Sequence, residues 1–135
     1  MGLFVTLTPG AGWLKNLPAL VDDPQDGITQ ADLTAAEAWA DARVAGFFGR
    51  FYDTTTAAFR AAPIPRQVAD LLASARVIGF KFARGGEGDP GMVATLEAQA
   101  KELMQEGRAS VLLDATGARI TPLALAVPRV GEVSP

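Results

Sequence analysis

The stretch ITQADLTAAEAWADARVAGFFGRFY, residues 28–52, decides the fold. It opens on a helix start. Thr29 stands three residues before Asp32, the spacing at which a hydroxyl and an acid cap each other's backbone donors. Asp32 and Glu37 also suit the positive end of a helix dipole. Leu33, Ala36, Ala40, Val44, Phe47, Phe48 and Phe51 then recur at three- and four-residue intervals. They form one apolar stripe along ~20 residues of helix, closing in a dense aromatic patch. Trp39 widens the stripe, and Arg43, one turn on, is placed to lie over its ring.

Working outward toward the C-terminus, Tyr52 to Pro65 reads as a connector. Asp53 followed by Thr54, Thr55 and Thr56 suits a helix end. Pro63-Ile64-Pro65 is expected to hold the backbone extended, with Pro65 in the first turn of a second helix running from about Arg66 to Ala83. Its stripe is Val68, Leu71, Leu72, Ala75, Ile78, Gly79 and Phe82. A mid-helix glycine costs about 1 kcal/mol relative to alanine, so Gly79 is expected to let another helix approach closely. Val77 and Phe80 lie outside the stripe, making this half of the helix apolar most of the way round. Such a helix is buried on several sides, in the core or between subunits.

Arg84 to Gly91 is a glycine-rich loop, and Asp89-Pro90 reads as the N-cap and first residue of a third helix. Val93, Leu96, Ala100, Leu103 and Met104 make its stripe, Glu97 and Lys101 pair one turn apart, and Gly107 is expected to end it. Val111 to Leu113, the turn Asp114-Ala115-Thr116-Gly117 and Ile120 then read as a short β-hairpin. Leu123, Leu125 and Val127 alternate with alanines between Pro122 and Pro128. That pattern fits an extended arm that joins a partner's sheet edge or groove, or a tail without structure of its own.

Working outward toward the N-terminus, residues 1–27 carry no sustained period. Leu3, Val5 and Leu7 alternate like a short strand ended by Pro9-Gly10. Trp13, Leu14, Leu17, Leu20 and Val21 fit a short amphipathic helix that Pro18 limits. The predicted class is therefore mainly α: an irregular segment, 1–27, a core domain of three long helices in a bundle, 28–108, and a β-hairpin with an extended arm, 109–135. A chain of 135 residues has room for one domain with a modest core.

Composition narrows the chemistry. At 49% hydrophobic and 20% charged residues the chain is too apolar for global disorder. No apolar run approaches the ~20 residues of a membrane span. The start lacks the basic region and apolar core of a signal peptide, so a cytoplasmic protein is expected. Gly2 and Thr6 match only the loose N-myristoylation pattern, which an ordinary translation start explains as well. The sequence contains no cysteine and no histidine, which excludes disulfides, cysteine-zinc sites, thiol nucleophiles and imidazole acid/base catalysis together.

What remains for catalysis is thin. The loop 85–91 lacks the lysine and hydroxyl of a phosphate-binding loop. Asp22, Asp23 and Asp26 lack the ligand spacing of an EF-hand. Glu37 and Asp41, one turn apart, have no third ligand at helical spacing and are read as a solvent face opposite basic neighbours. Charge is uneven along the chain: residues 1–41 hold six acids against Lys15, residues 42–84 seven bases against two acids, and residues 85–135 seven acids against four bases. A basic middle third permits local contact with nucleic acid, but its bases do not gather on one helical face, and pairing between acidic and basic segments is the expected use. No catalytic residue, cofactor or metal is assigned.

Residues 28–84 resemble the head–tail connector, or adaptor, proteins of long-tailed phages and related gene transfer agents. The residues that carry the resemblance are Ile28-Thr29 leading into Asp32-Leu33, and the helix with Ala36, Ala40 and Ala42. The aromatic–basic cluster Phe47, Phe48, Arg50, Phe51 and Tyr52, the Pro63-x-Pro65 entry, and Val68-Ala69-Asp70-Leu71-Leu72 complete it. A third helix closing at Glu102 to Gly107 before a hydrophobic tail also matches. The resemblance implies a homo-oligomeric ring, typically twelve subunits, seated beneath the portal protein of a DNA-filled capsid. Such a ring extends the channel through which genomic DNA passes and docks the next neck, stopper or tail protein. It works in the virion neck after assembly in the host cytoplasm, without cofactor or reaction.

On this reading Phe47, Phe48, Phe51, Val77 and Phe80 are packing residues, within the subunit or between subunits. Ile120, Leu123, Leu125 and Val127 are the contacts to portal or partner. Another neck or tail-completion protein, and a small helical DNA-binding regulator, are the competing readings.

Overall fold

The Thr29–Asp32 pair does what its spacing dictates. The Thr29 hydroxyl accepts the Asp32 N–H, and the Asp32 carboxylate accepts the Thr29 N–H at 2.9 Å, a complete capping box. It starts α1, Gln30–Phe48. In the computed structural model, which describes residues 4–8, 28–83 and 90–123, three further helices follow. These are α2, Ala57–Arg60, α3, Pro63–Ala83, and α4, Pro90–Ala109. The chain is mainly helical, and α3 packs against both α1 and α4. The short helix expected around Trp13, the loop 84–89 and the positions Leu125 and Val127 lie outside the described residues.

The connector after α1 contains more order than its composition suggested. Asp53 Oδ1 accepts both the N–H and the hydroxyl of Thr55, and Thr56 then caps the single turn of α2 by accepting the Phe59 N–H. The purpose of that turn is Phe59, which is fully buried. Next, α3 begins at Pro63, three residues before the expected start, with both prolines inside its first turn. The first i→i−4 bond of α3 runs from the Arg66 N–H to the Ala62 carbonyl. The three helical positions before Arg66 have no partner within the helix in any case. Two of them being proline therefore sacrifices no hydrogen bond.

Two glycines behave differently from expectation. Gly107 does not end its helix; α4 continues to Ala109. A Cβ at Gly107 would stand 2.9 Å from a ring carbon of Phe48 and 3.1 Å from a methyl of Leu112. Its missing side chain is what lets the end of α1 and the chain after α4 close on the helix. Gly79 was expected to admit a neighbouring helix, yet a Cβ there would meet nothing within 4 Å.

Beyond α4 the expected hairpin is a tight turn closed by one antiparallel bridge, Leu113 to Arg119, with no strand among the described residues. Asp114 Oδ1 accepts N–H groups from Thr116 and Ala118, and Gly117 takes the φ of +90° that glycine adopts without strain. The Ile120 N–H donates to the Leu112 carbonyl, and both side chains are buried.

The core runs from Phe4 to Ile120 and draws on every described segment. Residues 4–8, expected to belong to an irregular leader, are part of it: Phe4, Val5 and Leu7 are buried. An extended segment with no neighbouring strand must pair its buried donors some other way. Here two acids of α1 replace the strand. The Phe4 N–H donates to Asp41 Oδ1 at 3.0 Å, and the Leu7 N–H donates to Glu37 Oε2 at 2.7 Å. Residue 4 lies by 41 and residue 7 by 37, so the segment runs antiparallel to α1. This corrects the sequence reading of Glu37 and Asp41. They are not a solvent face but 3% and 5% exposed, and they hold the N-terminal segment in place.

Candidate functional site

Two aromatic assemblies leave α1 in different directions. The first is dry. Phe59 of α2 sits among Phe4, Phe48 and Tyr52, with ring centroids 5.7, 5.8 and 5.9 Å away. Phe47 meets Phe48 edge-on at 4.9 Å and Phe51 at 6.4 Å, extending the cluster toward the surface. Edge-to-face pairs at these distances add about 0.5–1.5 kcal/mol each beyond area burial.

The turn 48–52 that carries these rings also fastens the rest of the chain. The Leu112 N–H donates to the Tyr52 hydroxyl at 3.0 Å, and the Leu123 N–H donates to the Phe51 carbonyl at 2.8 Å. Phe51, Tyr52, Gly107, Val111 and Pro122 line a cleft of about 260 Å³ beside these bonds. Val111, on the wall of this cleft, is 40% exposed, and Leu113, two residues on, is 48% exposed.

The second assembly is wet. The Arg76 guanidinium of α3 lies 4.4 Å from the Trp39 ring centroid, and Arg43 of α1 lies 5.4 Å from it. Arg76 also stands 5.5 Å from the Phe80 ring, one turn along its own helix. Both arginines are exposed while Trp39 and Phe80 are half-buried, so each guanidinium lies on a ring face at the protein surface and keeps contact with water.

Beside this stack runs a groove of about 900 Å³. Trp39, Arg43 and Phe47 of α1 form one wall, Leu72 of α3 lies at its base, and Glu97, Lys101, Met104 and Arg108 of α4 contribute to the other wall. Its surface is apolar inside and carries charges of both signs. Arg108 belongs to both the groove and the smaller cleft, so the two depressions adjoin at the end of α4.

The sequence-assigned packing residues divide cleanly. Phe48 and Val77 are fully buried within this one chain. Phe47, Phe51 and Phe80 are half-buried at the edge of the core, with Phe47 on the groove wall. Of the assigned partner contacts, Ile120 is buried in the subunit's own core and Leu123 is half-buried and hydrogen-bonded to the α1 turn. Both of these are thus held by the chain itself, while Leu125 and Val127 lie outside the described residues. The sequence reading paired Arg43 with Trp39 and missed Arg76, although Arg76 and Phe80 stand four apart on a helix. Phe59 and Phe4 were missed too, since neither belongs to a periodic stripe.

The acids of the loops are structural. Hydrogen bonds from Thr55 hold the Asp53 carboxyl below its ordinary range, and those from Thr116 and Ala118 do the same for Asp114. Asp70, on α3, moves the other way: partial burial raises it, while a hydrogen bond from Ser74 opposes the rise. Compared with protein-family models, curated proteins and solved structures, the chain finds no match.

Proposed function

We propose that this protein is a structural subunit of a phage neck, a head–tail connector or adaptor. Identical copies form a ring beneath the portal protein, continue the DNA channel and dock the next neck or tail protein. In this reading the three long helices act as one bundle, the turn 113–119 is the root of a hairpin, and the protein carries out no reaction.

The observation that carries the reading is the convergence of the connector-like motifs on one junction. The aromatic–basic turn at 47–52 receives the segments on both sides of the turn at 113–119, through Tyr52 and Phe51. Pro122, just before the hydrogen-bonded Leu123, lines the apolar-edged cleft, and Leu125 and Val127 follow in the sequence. A non-catalytic role is supported by the chemistry available. The sequence has no histidine or cysteine, and its buried acid pair is engaged with backbone donors. Among the described residues no helix is long and apolar enough to cross a membrane.

The test is particle mass and symmetry by electron microscopy, on the protein alone and mixed with the portal of the same phage. A closed ring seated on the portal is the expected result. A monomer that ignores portal and is retained on DNA with a steep salt dependence would replace this reading with that of a DNA-binding regulator.

A further inference from the structure

The N-terminal segment 4–8 is fastened to α1 by side chains where a strand would ordinarily stand, and this makes it separable from the helices. We propose that residues 4–8 are an exchangeable strap: when two copies of the chain are close together, the segment of one fills the seat on the other, through the contacts it makes within its own chain.

The seat belongs to the helices and the segment only fills it. Glu37 and Asp41 of α1 supply the two carboxylate acceptors, and Phe59 of α2 supplies the ring that meets Phe4 at 5.7 Å. The segment brings two N–H groups and the buried side chains of Phe4, Val5 and Leu7, while Thr6 and Thr8 are exposed. Ordering five residues costs backbone entropy of the same order as the burial of three apolar side chains returns. Such a piece of structure opens locally, ahead of the helices it rests on. Once it opens, two buried carboxylates and the Phe59 ring are left ready for an extended chain.

Chain length lets that occupant come from a second copy. Leu7 is tied to Glu37, and Ile28 lies nine positions before Glu37, about 14 Å in helical rise. Residues 9–27, which join the two ends, have a contour length of about 60 Å. The connection is several times longer than the span it must cross, so the segment can reach a neighbouring seat without any change in the helices. Because the contacts are the same within a chain and between chains, the nearness of copies decides which form prevails. The carboxylates accept N–H groups from any extended backbone, but Phe4, Val5 and Leu7 are the side chains the seat is shaped around. The matching occupant is therefore the same segment of another copy. This inference is independent of the neck reading, since it is read on the protein alone.

The test uses the full-length protein, half of it labelled with carbon-13 and half unlabelled, mixed and held at high concentration. Isotope-filtered NOE spectra then separate contacts between chains from contacts within one. The expected result is a Phe4–Phe59 NOE between labelled and unlabelled chains, in a dimer whose fraction rises with concentration. A protein that stays monomeric at every concentration would overturn the proposal, and so would a dimer whose Phe4–Phe59 contacts all lie within single chains. In a second arm, a synthetic peptide of residues 3–8, in about tenfold excess, should compete for the seat and lower the dimer fraction about twofold or more. The same peptide carrying Phe4→Asp should leave the fraction unchanged. Equal effects of the two peptides would show that the seat does not read the segment and would overturn the proposal as well.

Discussion

The Phe59 cluster and the Trp39 stack are built from similar aromatic residues and end in opposite environments. Around Phe59, four rings from the N-terminal segment, α1, the turn and α2 exclude water, and the one hydroxyl among them accepts a backbone N–H. Around Trp39, two exposed guanidiniums lie against the rings, and a solvent-open groove runs alongside. Phe48 and Phe47 are adjacent in sequence, yet Phe48 is in the first environment and Phe47 borders the second. What separates them is the number of chain segments that converge. Phe48 is met by α2, by α4 through Gly107, and by Phe47. Among the described residues, the Trp39 side is met by α3 and α4. The first region is closed by chain packing on every side described, and the second is left open to solvent.

The contrast can be broken at its strongest point by Phe59→Ala. Truncating a fully buried phenylalanine costs about 3–5 kcal/mol, so a large fall in the denaturation midpoint is expected. A loss below 1 kcal/mol would mean that the four-ring cluster is not the centre of the core. Removing an acid from the N-terminal fastening should come next. Glu37→Ala strands the Leu7 N–H without its acceptor, a loss of about 1–3 kcal/mol, and amide exchange at residues 4–8 should accelerate. Unchanged exchange there would show that the segment is held by side-chain packing alone.

The two helical glycines sharpen the comparison, because substitutions at them should act in opposite directions. Gly107→Val drives a side chain into Phe48 and Leu112 and is expected to destabilise by about 1–3 kcal/mol. Gly79→Ala fills open space and should stabilise by about 0.5–1 kcal/mol through helix propensity. Chemical denaturation of the pair measures both signs in one experiment.

Asp70→Asn should have the smallest effect. Because folding raises the Asp70 pKa, the folded state binds its proton more tightly than the unfolded state. Its contribution is therefore present at low pH and lost as pH rises through the ordinary carboxylate range to the raised value. The asparagine variant should be slightly more stable than the parent at neutral pH and equal to it in acid. A variant less stable at neutral pH would mean that the charged form is favoured at this site.

The long helices were legible because their signals are local. The capping box at Thr29 and the stripe from Leu33 to Phe48 lie within single turns, and α1 follows them. The same holds for the turn at Asp114 and for Arg43 over Trp39. Phe59 was not legible as core, since one turn of helix generates no periodicity, and the alternation of Leu3, Val5 and Leu7 suggested an extended segment without showing what it packs against. Glu37 and Asp41 were misread for a related reason. Acids one turn apart look solvent-facing until a chain distant in sequence brings N–H groups to them.

From sequence by itself came the helical class, the helix starts at Thr29 and Pro90, and the exclusion of histidine and cysteine chemistry. These depend on hydrogen bonds and side-chain spacing within a few residues, or on composition alone. Only the tertiary structure decided that α4 continues through Gly107, that Glu37 and Asp41 serve as a substitute strand, and that the chain at Leu123 is tied to the α1 turn. Each of these rests on a contact between residues at least 30 positions apart, that of Phe48 with the space left by Gly107 included. Whether a glycine ends a helix or an acid faces water depends on what the rest of the chain brings to it.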